Sequence, residues 1–353
     1  MFKRGLFCVL ACTTILAACG NKEDTTKDKN VEELEETVPV TQEETLPYVT
    51  PFTGERIANE LTMRPVIATI NNHPQARPQS GLSSADVVYE MLAEGYVTRF
   101  LALFQSEIPD NIGPIRSARS YFIEIADGLD AFYIAHGYSP EAKQMLERGV
   151  VDNINGMHYD GTIFKRSRDR VAPHNSYIAG SNIEAAAGKV NASLLYQKKV
   201  SYTYYEEEEN VTSGTKADWI HVKYSSNENF NSKYTYDTES KTYSRSSGGN
   251  ITVDYLTNEP IELSNVLVFE MEHWIIDNEG RREIDIFSGG RAYLFQEGYM
   301  REVRWDNKDG VLTAIEADGS EVKLVPGKTW INFVPTNPGI ATSVIYTNSE
   351  QQS

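Results

Sequence analysis

Every cysteine of this chain lies within its first nineteen residues, at positions 8, 12 and 19. Whatever folds downstream therefore has neither a disulfide framework nor a thiolate zinc site, and its stability rests on a hydrophobic core. A length of 353 residues leaves room for about two domains of ordinary size. The cysteines themselves sit in a targeting segment. Lys3 and Arg4 precede an apolar run over residues 6–18 that is too short to cross the ~30 Å hydrocarbon core of a bilayer. It suits the apolar region of a secretory signal.

The run ends Leu16-Ala17-Ala18-Cys19-Gly20, which resembles a bacterial lipobox. The resemblance implies that residues 1–18 are removed and that Cys19, diacylated with palmitate-type chains, becomes the mature N-terminus. The competing reading is a plain signal peptide with a chance cysteine. Two acyl chains anchor stably where one is marginal, so the membrane is a partner through lipid, at the extracytoplasmic face. Residues 19–47 form an acidic tether. From Gly20 to Leu46 it carries Glu, Asp, Lys and Thr, few apolar residues and no aromatic. Such a segment cannot offset its own ordering entropy, and as a coil it reaches about 30 Å. Residues 31–36 offer a short amphipathic helix as the alternative. Acids outnumber bases 50 to 33, a formal charge of −17, so nucleic acid is not an expected partner.

Residues 48–195 read as an α/β domain. Residues 65–70 form a continuous apolar strand. Ser83 stands three residues before Asp86, a helix-capping signature, and Val87, Val88, Met91 and Leu92 follow at helical spacing up to Gly95. Residues 98–105 give a second strand, 117–127 a helix closed by Gly128, and 131–135 a third strand. Ser139-Pro140-Glu141 then opens a helix that ends at Gly149, and residues 182–190 form another. Continuous apolar strands alternating with helices predict a mainly parallel sheet covered on both faces. From residue 196 to 353 the pattern becomes short alternating stretches rich in Tyr, Thr and Val. Strands are expected at 219–224, 265–276, 282–287, 291–295, 299–305, 312–316 and 328–334, with a hairpin at 234–236 and 242–244 and Asp-Gly turns at 309–310 and 318–319. The expected fold class is α+β overall: an N-terminal α/β domain with a mainly parallel sheet, then a mainly antiparallel β domain. Trp219, Trp274, Trp305 and Trp330 read as packing residues rather than a sugar-stacking surface.

In open parallel sheets, ligands sit beyond the carboxyl ends of the strands. Those ends carry Asn71, Asn72 and His73 with Arg77, then Arg116, Ser117 and Arg119, then His136 and Ser139. The string GPIRSARS (113–120) stands where a helix begins, so backbone N–H groups and two arginines converge on one anion. Pairing of Arg116 and Arg119 with Glu124 or Asp127 is the alternative. A second basic run holds Arg166, Arg168, Arg170, His174 and Asn175. It reads either as a solvated loop or as a loop folded over the sheet edge to complete a phosphate or carboxylate site. His73, His136 and His174 are far apart in sequence but able to meet in space. Glu90 and Glu94 are expected on one face of a surface helix. There is no HExxH and no GxSxG. Gly327-Lys328-Thr329 lacks the earlier glycine of a phosphate loop. No metal and no cofactor are called for.

The stretches RPVIATINNHPQARPQSGLSSADVVYEMLAEG (64–95), TRFLALFQS (98–106), GPIRSARSYF (113–122), HGYSPEA (136–142), APHN (172–175) and PGKTWINFVP (326–335) make the chain similar to the YerB-like lipoproteins of Gram-positive bacteria. This is a two-module family of unknown function, and the likeness spans most of residues 55–340. It implies an envelope location and carries over no activity. The function expected is a binding or regulatory module in the cell envelope, its partner a cell-wall polymer or an envelope protein. The alternative is a hydrolase or transferase acting on an anionic wall polymer or precursor, with Arg116 and Arg119 on phosphate and His136 or His174 as acid/base. A solute-binding lipoprotein fits the length, but needs a second α/β lobe that residues 196–353 do not supply.

Overall fold

Two eight-residue runs, Val87–Glu94 and Val97–Phe104, fold back on each other across the two-residue turn Gly95-Tyr96. The first is a strand, not the helix expected from Ser83. Its apolar spacing fits either period, and tertiary burial decides. Val87, Tyr89 and Met91 enter one core, Val88 and Leu92 the core on the other side, and every residue from Val87 to Ala93 is buried. A strand covered on both faces shows no alternation. Nor does Ser83 cap a helix. It lies in the short turn Leu82–Ser84, and its N–H and hydroxyl both donate to Asp254.

The structure, a computed structural model, describes residues 46–347 apart from 207, 208, 210, 212 and 213. Cys19, the signal segment and the tether up to Thr45 lie outside the described residues. The central sheet has eleven strands and is mixed rather than mainly parallel. Its order is Thr215–Lys216, Tyr299–Lys308, Gly290–Gln296, Asn265–Met271, Thr329–Pro335, Val87–Glu94, Val97–Phe104, Val66–Asn71, Phe132–Ala135 and Asn153–Asn155, with Val311–Ile315 beside Tyr299–Lys308. Val66–Asn71, Phe132–Ala135 and Asn153–Asn155 run parallel, whereas Val97–Phe104 is antiparallel to both of its neighbours. In the second half the meander from Asn265 to Ile315 is antiparallel. Thr329–Pro335 instead inserts parallel to both Asn265–Met271 and Val87–Glu94. One sheet thus runs through residues on both sides of position 195.

A six-stranded antiparallel sheet covers one face, with Trp219–Val222, Ser232–Asp237 and Thr242–Ser247 at its centre and Val344–Thr347 at one edge. The helices Ser120–Gly128 and Pro140–Glu147 cover the other, packing Tyr121, Phe122, Ile125 and Ala142. Ser139 caps the second helix as its sequence indicates, accepting from Ala142 N–H at 3.3 Å. The chain enters at the amino-terminal edge of the sheet. Tyr48–Val49 pairs with Arg56–Ile57, and the Thr53 carbonyl accepts from Gly327 N–H just before the strand Thr329–Pro335. Among the described residues, no helix is long and apolar enough to cross a membrane.

Candidate functional site

The carboxyl ends of Val66–Asn71 and Phe132–Ala135 deliver Asn71, His73 and His136 to one edge of the sheet. The loop 113–119 is tied down across them. Asn71 N–H donates to the Pro114 carbonyl at 2.8 Å, Arg116 N–H to Thr69 at 2.8 Å, and His136 N–H to Arg116 at 2.9 Å. Arg116 is thereby fixed between two strand ends.

A β-bulge sets the charge of this edge. Leu92 lies opposite Thr98 and Glu94 opposite Val97, so Ala93 is an extra residue. Simple alternation would keep Glu94 on the face of Glu90 and Leu92. The bulge turns it to the face of Arg99. One nitrogen of Arg99 reaches both Glu94 oxygens at 2.6 and 2.7 Å, Arg119 reaches one at 2.5 Å, and Arg116 stands 3.9 Å away. Burial alone would push the Glu94 carboxyl up, but the guanidinium groups of Arg99, Arg119 and Arg116 outweigh it and hold it below the usual carboxylate range. Three guanidinium groups against one carboxylate leave two positive charges in excess. The Arg99 and Arg119 side chains are 2 % and 6 % exposed, that of Arg116 22 %, so Arg116 is the member open to a ligand. The Nε atoms of Arg116 and Arg119 are buried and lack a hydrogen-bond partner. Glu124 and Asp127 are not the partners of these arginines. Glu94 is.

The histidine rings extend the edge, and the hydrogen bonds place their protons. His73 and His174 stack with centroids 4.8 Å apart. Asn71 Oδ1 accepts from His73 N–H, so its amide nitrogen faces His174 Nδ1 at 2.8 Å and donates to it. His73 Nδ1 accepts from Gln75 N–H at 3.2 Å. Both rings therefore carry their proton on Nε2, which makes no hydrogen bond among the described residues. Burial, then Arg77 and Arg116, keep His73 below its ordinary pKa; burial, then His73, Arg116 and Arg170, do the same for His174. Two neutral rings, each with an N–H on Nε2, thus lie within electrostatic reach of the Arg116 cation. At His136, Arg166 donates to Nε2 at 3.0 Å, so Nδ1–H donates to Ser176 Oγ at 2.7 Å. The nitrogen facing the hydroxyl holds the proton and Ser176 is 1 % exposed, so this is no nucleophile–base pair.

The loop 165–175 lies against this edge rather than standing free in solvent. Arg166 joins His136 to Asp160 and Asn175 at 3.0 and 3.1 Å, and Arg170 donates to the carbonyls of Ala76 and Pro78 while stacking over Tyr255. Arg168 is exposed and has no hydrogen-bond partner among the described residues. Ser117 spends its carbonyl on Arg99 at 2.7 Å, and its hydroxyl lies 3.4 Å from the His136 carbonyl. Ser139 is committed to its helix cap.

Asn72 faces inward, and the half-buried Arg77 reaches in to it. Asn72 donates to Glu90 and Thr98 and accepts from Arg77 Nε at 3.0 Å. Glu90 is wholly buried, not a surface residue. It accepts from Arg245 at 3.0 Å, Trp330 at 3.0 Å, Ser232 at 2.9 Å and Thr98 at 2.9 Å. A helix over residues 83–95 leaves no place in the site for Glu94, Arg99 or Glu90, which is why sequence reasoning missed them. Two apolar eight-residue runs around Glu94-Gly95-Tyr96-Val97 were the hairpin signal that would have exposed them. Among the described residues, no group of three or more His, Cys, Asp or Glu could hold a metal ion.

Comparison with known proteins matches residues 52–193 to the model of the "Protein of unknown function (DUF3048) N-terminal domain" and residues 220–331 to that of the corresponding C-terminal domain. The "Putative lipoprotein YerB" of Bacillus subtilis (strain 168) is 42 % identical over 287 residues, 81 % of this chain and 86 % of its own length. The crystal structure of YerB from Bacillus subtilis superposes with a TM-score of 0.77 at 40 % identity, covering 85 % of this chain and all of that one.

Proposed function

Because the chain belongs to the YerB-like lipoprotein family, with its paired DUF3048 modules, we propose that it is an envelope protein anchored through Cys19 at the extracytoplasmic face. There it acts as a binding module that captures an anionic group of a cell-wall polymer. One observation carries the reading: Arg116, fixed between two strand ends and within electrostatic reach of the neutral His73 and His174 rings, is left 3.9 Å from a carboxylate already occupied by Arg99 and Arg119. A phosphate or carboxylate there would meet one charged and two neutral donors, which is how oxyanions are held. The alternative, an enzyme on the same polymer, is less well supported. His136 is spent on Arg166 and Ser176, and the stacked histidines face no polarised nucleophile.

The test is sedimentation of the full-length protein, kept in detergent micelles, with radiolabelled purified cell walls. Protein in the pellet without released label, lost in Arg116→Ala at an unchanged melting temperature, is expected. Label appearing in the supernatant would make the protein an enzyme. An unbound wild type would end the wall-binding reading.

A further inference from the structure

Arg77 poses a separate electrostatic problem. Its guanidinium donates only to neutral acceptors: Asn72 Oδ1 at 3.0 Å, the Asn72 carbonyl at 2.8 Å and Ser247 Oγ at 3.0 Å. Among the described residues no carboxylate lies within ion-pairing distance of it. The nearby Glu90 is taken by Arg245, so two guanidinium groups share one carboxylate and one positive charge is left over. Mostly buried charges are ordinarily paired, and leaving one unpaired is costly. Burial, then Arg245, already pulls the Arg77 pKa down to about 10.

This cation borders a cleft of about 400 Å³ between two parts of the fold, lined on one side by Pro74, Arg77 and Gln79 and on the other by Ser247, Ile251 and Thr252. The turn Pro74–Ala76 that walls the cleft follows directly on His73. On the opposite wall, Asn229 adjoins Phe230, whose ring contacts His73 at 6.5 Å. The cleft and the Arg116 edge therefore meet at His73, and a track runs from the Arg77 cation past the neutral His73 and His174 rings to the Arg116 cation in a chain of net charge −17. One isolated anion would leave one end of that track unpaired.

We propose that the ligand is a polymer bearing successive anionic groups, one seated at Arg116 and a neighbouring one over Arg77 in the cleft, so that both modules grip the same chain. The proposal rests on the anion-binding reading of Arg116 and specifies its ligand as multivalent. The shared chemistry is a repeated phosphate or carboxylate. Linking two subsites through one ligand raises affinity by effective concentration, with no new contact at either.

The experiment is calorimetric titration of the full-length protein in detergent micelles with inorganic phosphate, long-chain polyphosphate and polygalacturonate. Affinity per bound chain should exceed that for phosphate by about a hundredfold with the polymer of the matching anion. Polyphosphate or polygalacturonate showing the larger gain identifies the source. Arg77→Gln should abolish the gain and leave phosphate binding intact. Since Arg77 also ties Asn72 to Ser247, Ile251→Glu is the second variant. Ile251 is 58 % exposed, so a carboxylate there repels the chain without touching the core. Equal affinities for phosphate and both polymers, or a gain that survives both variants, would overturn the two-subsite proposal and leave the Arg116 site standing. Absence of binding by phosphate and polymers alike would overturn both.

Discussion

Glu94 and Arg116 face each other across 3.9 Å, yet their removal should have opposite consequences. Glu94→Ala strands Arg99 and Arg119, both nearly buried, without a counter-charge. The expected loss is about 3 kcal/mol, read as a clear drop in melting temperature. Arg116→Ala removes a guanidinium whose one ionic contact is loose. Stability should stay within about 0.5 kcal/mol while wall binding disappears. An Arg116→Ala protein that unfolds would make the arginine structural. The pH profile tests a different group. Burial, then Glu283 and Asp285, raise the Glu124 carboxyl to about 7, and burial raises Asp86 to about 6. Both lie above their unfolded values, so the fold favours the protonated forms. That contribution is complete below about pH 4 and is lost as the pH rises through about 6 and then about 7. The melting temperature should fall between about pH 4 and about pH 7, and Glu124→Gln should flatten the fall. An equally steep decline in the variant would show that Glu124 does not drive it.

Among the elements, the bulge at Ala93 is a charge-placing device. Inserting one residue between Val97 and Thr98, opposite Ala93, restores regular alternation and sends Glu94 to the face of Glu90, away from Arg99. The insertion should reproduce the Glu94→Ala loss and add the cost of re-registering the hairpin; a melting temperature equal to wild type would show that another acid replaces Glu94. Close packing of a helix on a turn gives a second expectation. A Cβ on Gly128 would lie 2.0 Å from the Gly310 carbonyl oxygen, backbone that cannot step aside. Gly128→Ala should therefore cost about 2 kcal/mol in chemical denaturation, while Gly188→Ala, with open space around it, should not. The helices were legible because their signals are local: Ser139 before Pro140, Gly128 after an apolar face. The hairpin Tyr299–Lys308 with Val311–Ile315 was legible through its Asp309-Gly310 turn, both residues at positive φ. Val87–Glu94 was not, since a strand buried on both faces shares its spacing with a buried helix.

At the scale of the whole molecule, Thr329–Pro335 hydrogen-bonds Val87–Glu94 on one side and Asn265–Met271 on the other. Glu90, from one half, is satisfied by Ser232, Arg245 and Trp330, all from the other. Residues 48–195 made alone would expose that strand edge and bury Glu90 without a cation. Separate halves should be unfolded by circular dichroism and recover signal only when mixed. A folded half would show the shared sheet to be dispensable. None of this pairing could be read from the sequence, because partners some 240 residues apart leave no periodic trace. The edge positions of the site were legible only because strand ends gather their residues wherever the strands come from. The same sheet gives the molecule a polarity. The chain enters beside Thr53, at the strands' beginnings, whereas Arg116 sits beyond their ends, roughly 20 Å further on. Under the proposed anchoring at Cys19, the tether joins the described fold at the end of the sheet opposite the arginines. On that proposal the length of segment 20–46 limits the reach of capture, so shortening it should shrink that reach while leaving the affinity of each encounter unchanged.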